Sequence, residues 1–137
     1  MKFNKRVFRR LFLISGVLIL SGCATLNQGE YLDEKTIKVE RIDSPHAKIG
    51  FVSIKKMDKV TWIRGDIKRR VPVRGPIFGH LDVTVTSPDG KTLFKDTVTF
   101  KRKSLKSKTA QFLIEIKSPI LVGSNVSIKH HYLGSNN

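Results

Sequence analysis

From residue 35 onward, apolar and polar residues alternate with a period of two in short segments, the pattern of strands with one buried face and one wet face. The cleanest segment is 80–87, where Leu81, Val83 and Val85 point one way and His80, Asp82, Thr84 and Thr86 the other. Residues 109–117 repeat it, with Ala110, Phe112, Ile114 and Ile116 set against Gln111, Leu113 and Glu115. Val126, Ile128, His130 and Tyr132 share a face of the last segment, and Ile37 and Val39 share one in residues 35–41. Residues 48–56 place Ile49 and Phe51 on one face and Val52 and Ile54 on the other, which predicts a central strand covered on both sides. Residues 59–69 set Val60 and Trp62 against Ile63 and Ile67. In residues 91–100 Val98 and Phe100 are in phase, and Asp96 interrupts them as a bulge or a switch between sheets would.

Turn residues punctuate these segments. Asp43-Ser44-Pro45, Met57-Asp58, Ser87-Pro88-Asp89-Gly90, Ser118-Pro119 and Gly123-Ser124-Asn125 each carry residues that favour local reversals. Residues 70–79 contain Pro72, Gly75 and Pro76, which suit a stiff loop rather than a ladder. Residues 120–122 are long enough only for a brief pairing. About seven strands at intervals near 10 residues, with almost no helical periodicity, predict a single all-β antiparallel sandwich over residues 35–137. With no cysteine to join two sheets after Cys23, the pattern resembles the disulfide-free fibronectin type III or transthyretin-like sandwiches within the immunoglobulin-like architectures. That resemblance implies a core position for Trp62, the single tryptophan, and implies no activity.

If successive strands reverse direction, their loops alternate between two poles. The segments 43–46, 70–79 and 101–108 then share one pole, and 57–58, 88–90 and 119–125 share the other. This brings Lys68, Arg69, Arg70 and Arg74 to the same end as Lys101, Arg102, Lys103, Lys106 and Lys108, the residues expected to contact anions. Between them Ile77 and Phe78 give the 74–80 loop an apolar tip, suited to an anionic amphiphile, to a protein partner anchored by Phe78, or to plugging the end of the core. His46, His80, His130 and His131 map to the same pole. A metal centre needs three or four such ligands converging, and the chain has no H-x-H spacing, so no metal site is predicted and these four are the only candidates for one. His80 and Asp82 share a face, as an oriented pair or as a plain surface hydrogen bond.

Upstream of the strands the pattern changes. Lys2, Lys5, Arg6, Arg9 and Arg10 precede an apolar run from Leu11 to Leu20 broken only by Ser15 and Gly16. Such a run rises only about 15 Å as a helix, roughly half a bilayer core, which fits an export signal rather than a span. It ends in Leu20-Ser21-Gly22-Cys23, which resembles the lipobox of bacterial lipoproteins. The resemblance covers residues 1–23 and implies cleavage before Cys23, a diacylglycerol thioether on its sulfur and usually acylation of the new amino terminus. The several acyl chains would hold the protein firmly, at about 0.8 kcal/mol per buried methylene. Ala24 in place of an aspartate implies sorting to the outer membrane, with the body facing the periplasm. The expected organisation is a signal peptide at 1–22, a lipidated tether at 23–34 and the sandwich at 35–137.

The chain carries 26 basic and 11 acidic residues, and five of the basic ones lie in the signal. Twenty-one basic against 11 acidic residues leave the mature part at +10, an attraction for anionic partners. Export excludes nucleic acid and leaves anionic lipid, lipopolysaccharide, cell-wall polymer or an acidic envelope protein. The chain has no G-x-S-x-G elbow, no phosphate-binding glycine loop and no paired carboxylate motif, so no enzyme is expected, and no cofactor beyond the covalent lipid. The expectation is a non-catalytic, membrane-anchored sandwich that binds something anionic. A metal carrier using the histidines, or a structural subunit recognised through a strand edge, are the alternatives.

Overall fold

A computed structural model of the chain describes residues 30–32, 36–70, 75–102, 104 and 106–133. The expected signal segment, Cys23, Arg74 and Lys103 lie outside the described residues. Every regular element among the described residues is a strand: β1 (Glu30–Leu32), β2 (Lys38–Ile42), β3 (Ala47–Met57), β4 (Val60–Arg69), β5 (His80–Thr86), β6 (Thr92–Val98), β7 (Lys101–Arg102), β8 (Thr109–Ile116) and β9 (Asn125–His131). They form two packed sheets, β1-β3-β4-β8-β7 and β2-β9-β5-β6. The predicted all-β sandwich is therefore the fold, and the seven predicted strands are the seven long ones.

Alternation builds the core as expected in β5, β8 and β9. Leu81, Val83 and Val85 from one sheet and Phe112, Ile114 and Ile116 from the other are all buried, and Val126 and Ile128 join them. Burying one such side chain stabilises by about 1.5–3 kcal/mol. Thr61 is buried among them, where its hydroxyl donates to the Ser118 carbonyl at 3.1 Å and accepts the Ile120 N–H at 3.3 Å. This bond pair draws the 118–120 segment over the core and buries Ile120, so residues 120–122 form no strand.

Several expectations are overturned. Phe51 does not share a face with Ile49: the register of β3 against β4 shifts between Ile49 and Val52, a β-bulge that turns Ile49, Val52 and Ile54 inward and Phe51 outward. Asp66 on β4 holds the bulge, its Oδ1 accepting the Phe51 N–H at 2.6 Å, and a Cβ at Gly50 would stand 2.7 Å from that oxygen, so a side chain there would have to push the carboxylate aside. Trp62 is not in the core, because Thr61, Ile63, Gly65 and Ile67 take the inward phase of β4 and leave Trp62 facing out. The sandwich is not wholly antiparallel: β2 runs parallel to β9, since the 43–46 turn crosses between sheets instead of closing a hairpin. Asp96 is neither bulge nor switch, for it pairs in regular register with Val83 and is exposed. Strand pairing also reaches into the segment read as tether, where Glu30 to Leu32 pair with Lys56 to Ile54, and into the basic loop, where Lys101 and Arg102 pair with Gln111 and Ala110.

Candidate functional site

Among the seven long strands each connection still reverses the chain direction, so their loops segregate to two poles. At the pole where β4 ends, the Arg69 N–H donates to the Lys108 carbonyl at 3.0 Å and the Arg70 N–H to the His46 carbonyl at 3.0 Å. These bonds join the 68–70, 106–108 and 43–46 segments. The N-terminal strand lies at the other end of β3, with Glu30 opposite Lys56.

Of the nine basic residues singled out, Lys68, Arg69, Arg70, Lys101, Arg102, Lys106 and Lys108 are described, and all but Lys101 and Arg102 cluster around that junction. Two are partly neutralised: Lys68 lies 3.6 Å from Asp66, and Arg70 Nη2 lies 3.1 Å from Asp43 Oδ2. Arg69 donates to the Gly75 carbonyl and so ties the strand end to the 75–79 loop. Lys106 and Lys108 are exposed. Lys101 and Arg102 sit along β7 beside a groove of about 700 Å³ that also takes in Arg64, Gln111 and Leu113. The two apolar loop residues part company: Ile77 packs against the core and Phe78 is 54% exposed.

The four histidines share the pole but not one site. His130, on the inward phase of β9, is 3% exposed, with Nδ1 2.7 Å from Ser44 Oγ and Nε2 3.1 Å from the Phe78 carbonyl. Ser44 Oγ already accepts the His46 and Ala47 N–H groups at 3.1 Å each, which fills its two acceptor positions. Its own proton must then go to Nδ1, and Nε2–H donates to Phe78. This network needs a neutral ring. Burial accordingly holds the His130 imidazole below the ordinary histidine range; the Phe78 bond opposes the shift, and the charges of His80, His131 and His46 reinforce it. His46 stacks on Tyr132 with centroids 3.7 Å apart.

His80 and His131 stand opposite each other on the outward faces of β5 and β9, their rings stacked at 5.3 Å. The Asp82 carboxylate reaches both, Oδ1 lying 3.6 Å from His80 Nε2 and Oδ2 3.0 Å from His131 Nε2. Of the four candidates, then, two converge, and the third member of their cluster is Asp82.

A further surface went unseen in the sequence. On the outward face of the β1-β3-β4-β8-β7 sheet, Tyr31, Phe51 and Leu113 are 70%, 68% and 59% exposed. Trp62 and Arg64 lie with Tyr31 and Leu113 around a depression of about 310 Å³, and Lys55 Nζ sits 5.1 Å from the Tyr31 ring centroid. The outward phase of Trp62 was readable from Ile63 and Ile67, whereas Phe51 required the bulge. No protein-family model, curated protein or solved structure matches this chain.

Proposed function

We propose that this chain is a non-catalytic, lipid-anchored outer-membrane lipoprotein whose periplasmic sandwich binds an anionic envelope component through its basic pole. The observation that carries this reading is the junction of Arg69 with Lys108, which draws two basic segments together instead of spreading them over the surface. The lipobox at Cys23 supplies the anchor, and the position of Glu30 to Leu32 at the far end of β3 supports an orientation that presents the pole away from it. Phe78, exposed beside the Arg69-bound loop, adds an apolar contact suited to an amphiphile such as an anionic phospholipid or lipopolysaccharide. The engagement of Asp43 and Asp66 lowers the charge around Arg70 and Lys68, so the exposed Lys106, Lys108 and Lys101 become the principal contacts.

Binding of residues 24–137 to vesicles containing anionic phospholipid, and separately to lipopolysaccharide, tests this across a salt series. The Debye length shortens from about 10 Å at 0.1 M to about 3 Å at 1 M, so binding through exposed cations falls steeply over that range. Reversing Lys101, Arg102, Lys106 and Lys108 to Glu abolishes it. Binding that ignores salt, or survives the reversals, sinks the reading.

A further inference from the structure

We propose that His80, Asp82 and His131 form a binding site for a divalent transition-metal ion of the Zn²⁺ or Cu²⁺ class, independent of any anion binding at the same pole. The strand period puts His80 and Asp82 on one face of β5, and the antiparallel register sets His131 directly across from His80. One donor atom from each residue lies within 4.8 Å of the others. A tetrahedral ion about 2.0–2.2 Å from nitrogen and oxygen ligands holds those ligands roughly 3.3 Å apart. The separations, 3.0 Å from Asp82 Oδ2 to His131 Nε2 and 3.6 Å from Asp82 Oδ1 to His80 Nε2, bracket that value, and with all three donors inside 4.8 Å, rotation of the carboxylate and imidazoles about their side-chain bonds can draw them onto one ion.

Three further features set the cluster apart from a chance surface ion pair. Both parent strands are internal to their sheet, β9 between β2 and β5, and β5 between β9 and β6, and Asp82 is paired on both sides, with Lys129 and Thr97, while His80 and His131 pair with each other at the end of the ladder. Thr97 on β6 donates its hydroxyl proton to Asp82 Oδ1 at 2.8 Å, orienting the carboxylate from outside the ligand set. All three side chains are partly exposed, at 26%, 40% and 37%, which leaves a coordination position open to solvent or to a small ligand. Two imidazoles and one carboxylate suit Zn²⁺, Cu²⁺ or Ni²⁺, whereas Mg²⁺ and Ca²⁺ prefer all-oxygen sets. Lys129, opposite Asp82 on β9, and the basic pole oppose a cation and hold the affinity below that of a closed structural site. His130 contributes nothing, since both its ring nitrogens are engaged on the other face.

The test uses the full chain in detergent, carrying Cys23→Ser to remove the only thiol and stripped with a chelator. Titration with Zn²⁺, followed by calorimetry and equilibrium dialysis, is expected to show one saturable equivalent. His131→Ala and Asp82→Asn each weaken it at least tenfold, and His46→Gln leaves it unchanged. Thr97→Val keeps all three ligands and weakens binding by about tenfold, the loss typical when the partner of a ligand is removed. Substituting Co²⁺ gives a tetrahedral visible spectrum that Asp82→Asn abolishes, while an unchanged far-ultraviolet spectrum shows that each variant is folded. Absence of saturable uptake, or uptake that persists in both His131→Ala and Asp82→Asn, overturns the assignment.

Discussion

Replacing His130 with phenylalanine separates the shape of this buried ring from its hydrogen bonds. The variant keeps an aromatic ring among its neighbours but strands the Ser44 hydroxyl proton and the Phe78 carbonyl, which His130 engages at 2.7 and 3.1 Å. Ser44 is 8% exposed, so its unmet donor carries most of the penalty; the Phe78 carbonyl is only part-buried and carries less. At about 1–3 kcal/mol for a buried unsatisfied group, the loss comes to about 2–3 kcal/mol. For a domain near 100 residues that lowers Tm by roughly 10–15 °C. Urea unfolding followed by Trp62 fluorescence is expected to show a lower midpoint at an unchanged slope, the sign of lost stability without a change in exposed area. Ser44→Ala also removes the acceptor for the His46 and Ala47 N–H groups. Because the two side chains share one bond, the double variant should fall short of the summed losses by about 1 kcal/mol. A His130→Phe variant within about 0.5 kcal/mol of wild type, or strict additivity with Ser44→Ala, refutes the network.

Metal-free protein should keep its full stability above the ordinary histidine pKa and lose it as pH falls below. The folded pKa of His130 is depressed, so between the ordinary histidine value and that lower one the unfolded chain binds a proton that the folded one refuses. The groups facing it are His46, His80 and His131, all of which further oppose its protonation. Denaturation midpoints measured from pH 8 to 5 should slope less in His130→Phe, and an unchanged slope counts against the buried ring as the titrating group. Gly65→Ala should destabilise by about 1–3 kcal/mol, because an added Cβ meets the Phe112 ring and stands 2.6 Å from the Phe51 carbonyl of the bulge. Phe112→Leu should recover part of the Gly65→Ala loss by removing the ring edge; a thermal melt showing Gly65→Ala neutral contradicts the close approach.

Much of the fold was legible because β5, β8 and β9 alternate in a way that one phase satisfies far better than the other, Leu113 and His130 being the exceptions. The errors have local causes. In β3 both phases carry apolar residues, and the insertion that selects between them rests on a hydrogen bond from Phe51 to Asp66, 15 residues away. In β4 a large aromatic outweighed the phase set by Ile63 and Ile67, although Gly65 between them already marked a tight inward position. The parallel pairing of β2 with β9 depends on which sheet receives the strand after the 43–46 turn. Turn chemistry gives the reversal but does not say whether the chain returns beside the same strand or crosses to the other sheet.

Parity along a single strand decides what the histidines can do. His130 and His131 are neighbours in sequence, yet β9 turns the first into the core and the second to solvent. The inward ring has its two nitrogens assigned by Ser44 and Phe78 and can offer neither to a ligand, while it holds the Phe78 loop to the 43–46 turn. The outward ring keeps a nitrogen beside Asp82 and across from His80. The four histidines therefore are not one set: His130 is a structural clamp, and the pair that faces Asp82, His80 and His131, is assembled across two strands rather than as H-x-H within one. The useful sequence signal was H-x-D on β5: the period of two fixes those residues on one face, and an outward histidine on the neighbouring strand completes the triad. Register supplied the remaining constraint, since a shift of one residue that set Tyr132 across from His80 would turn His131 inward and leave Asp82 with a single imidazole.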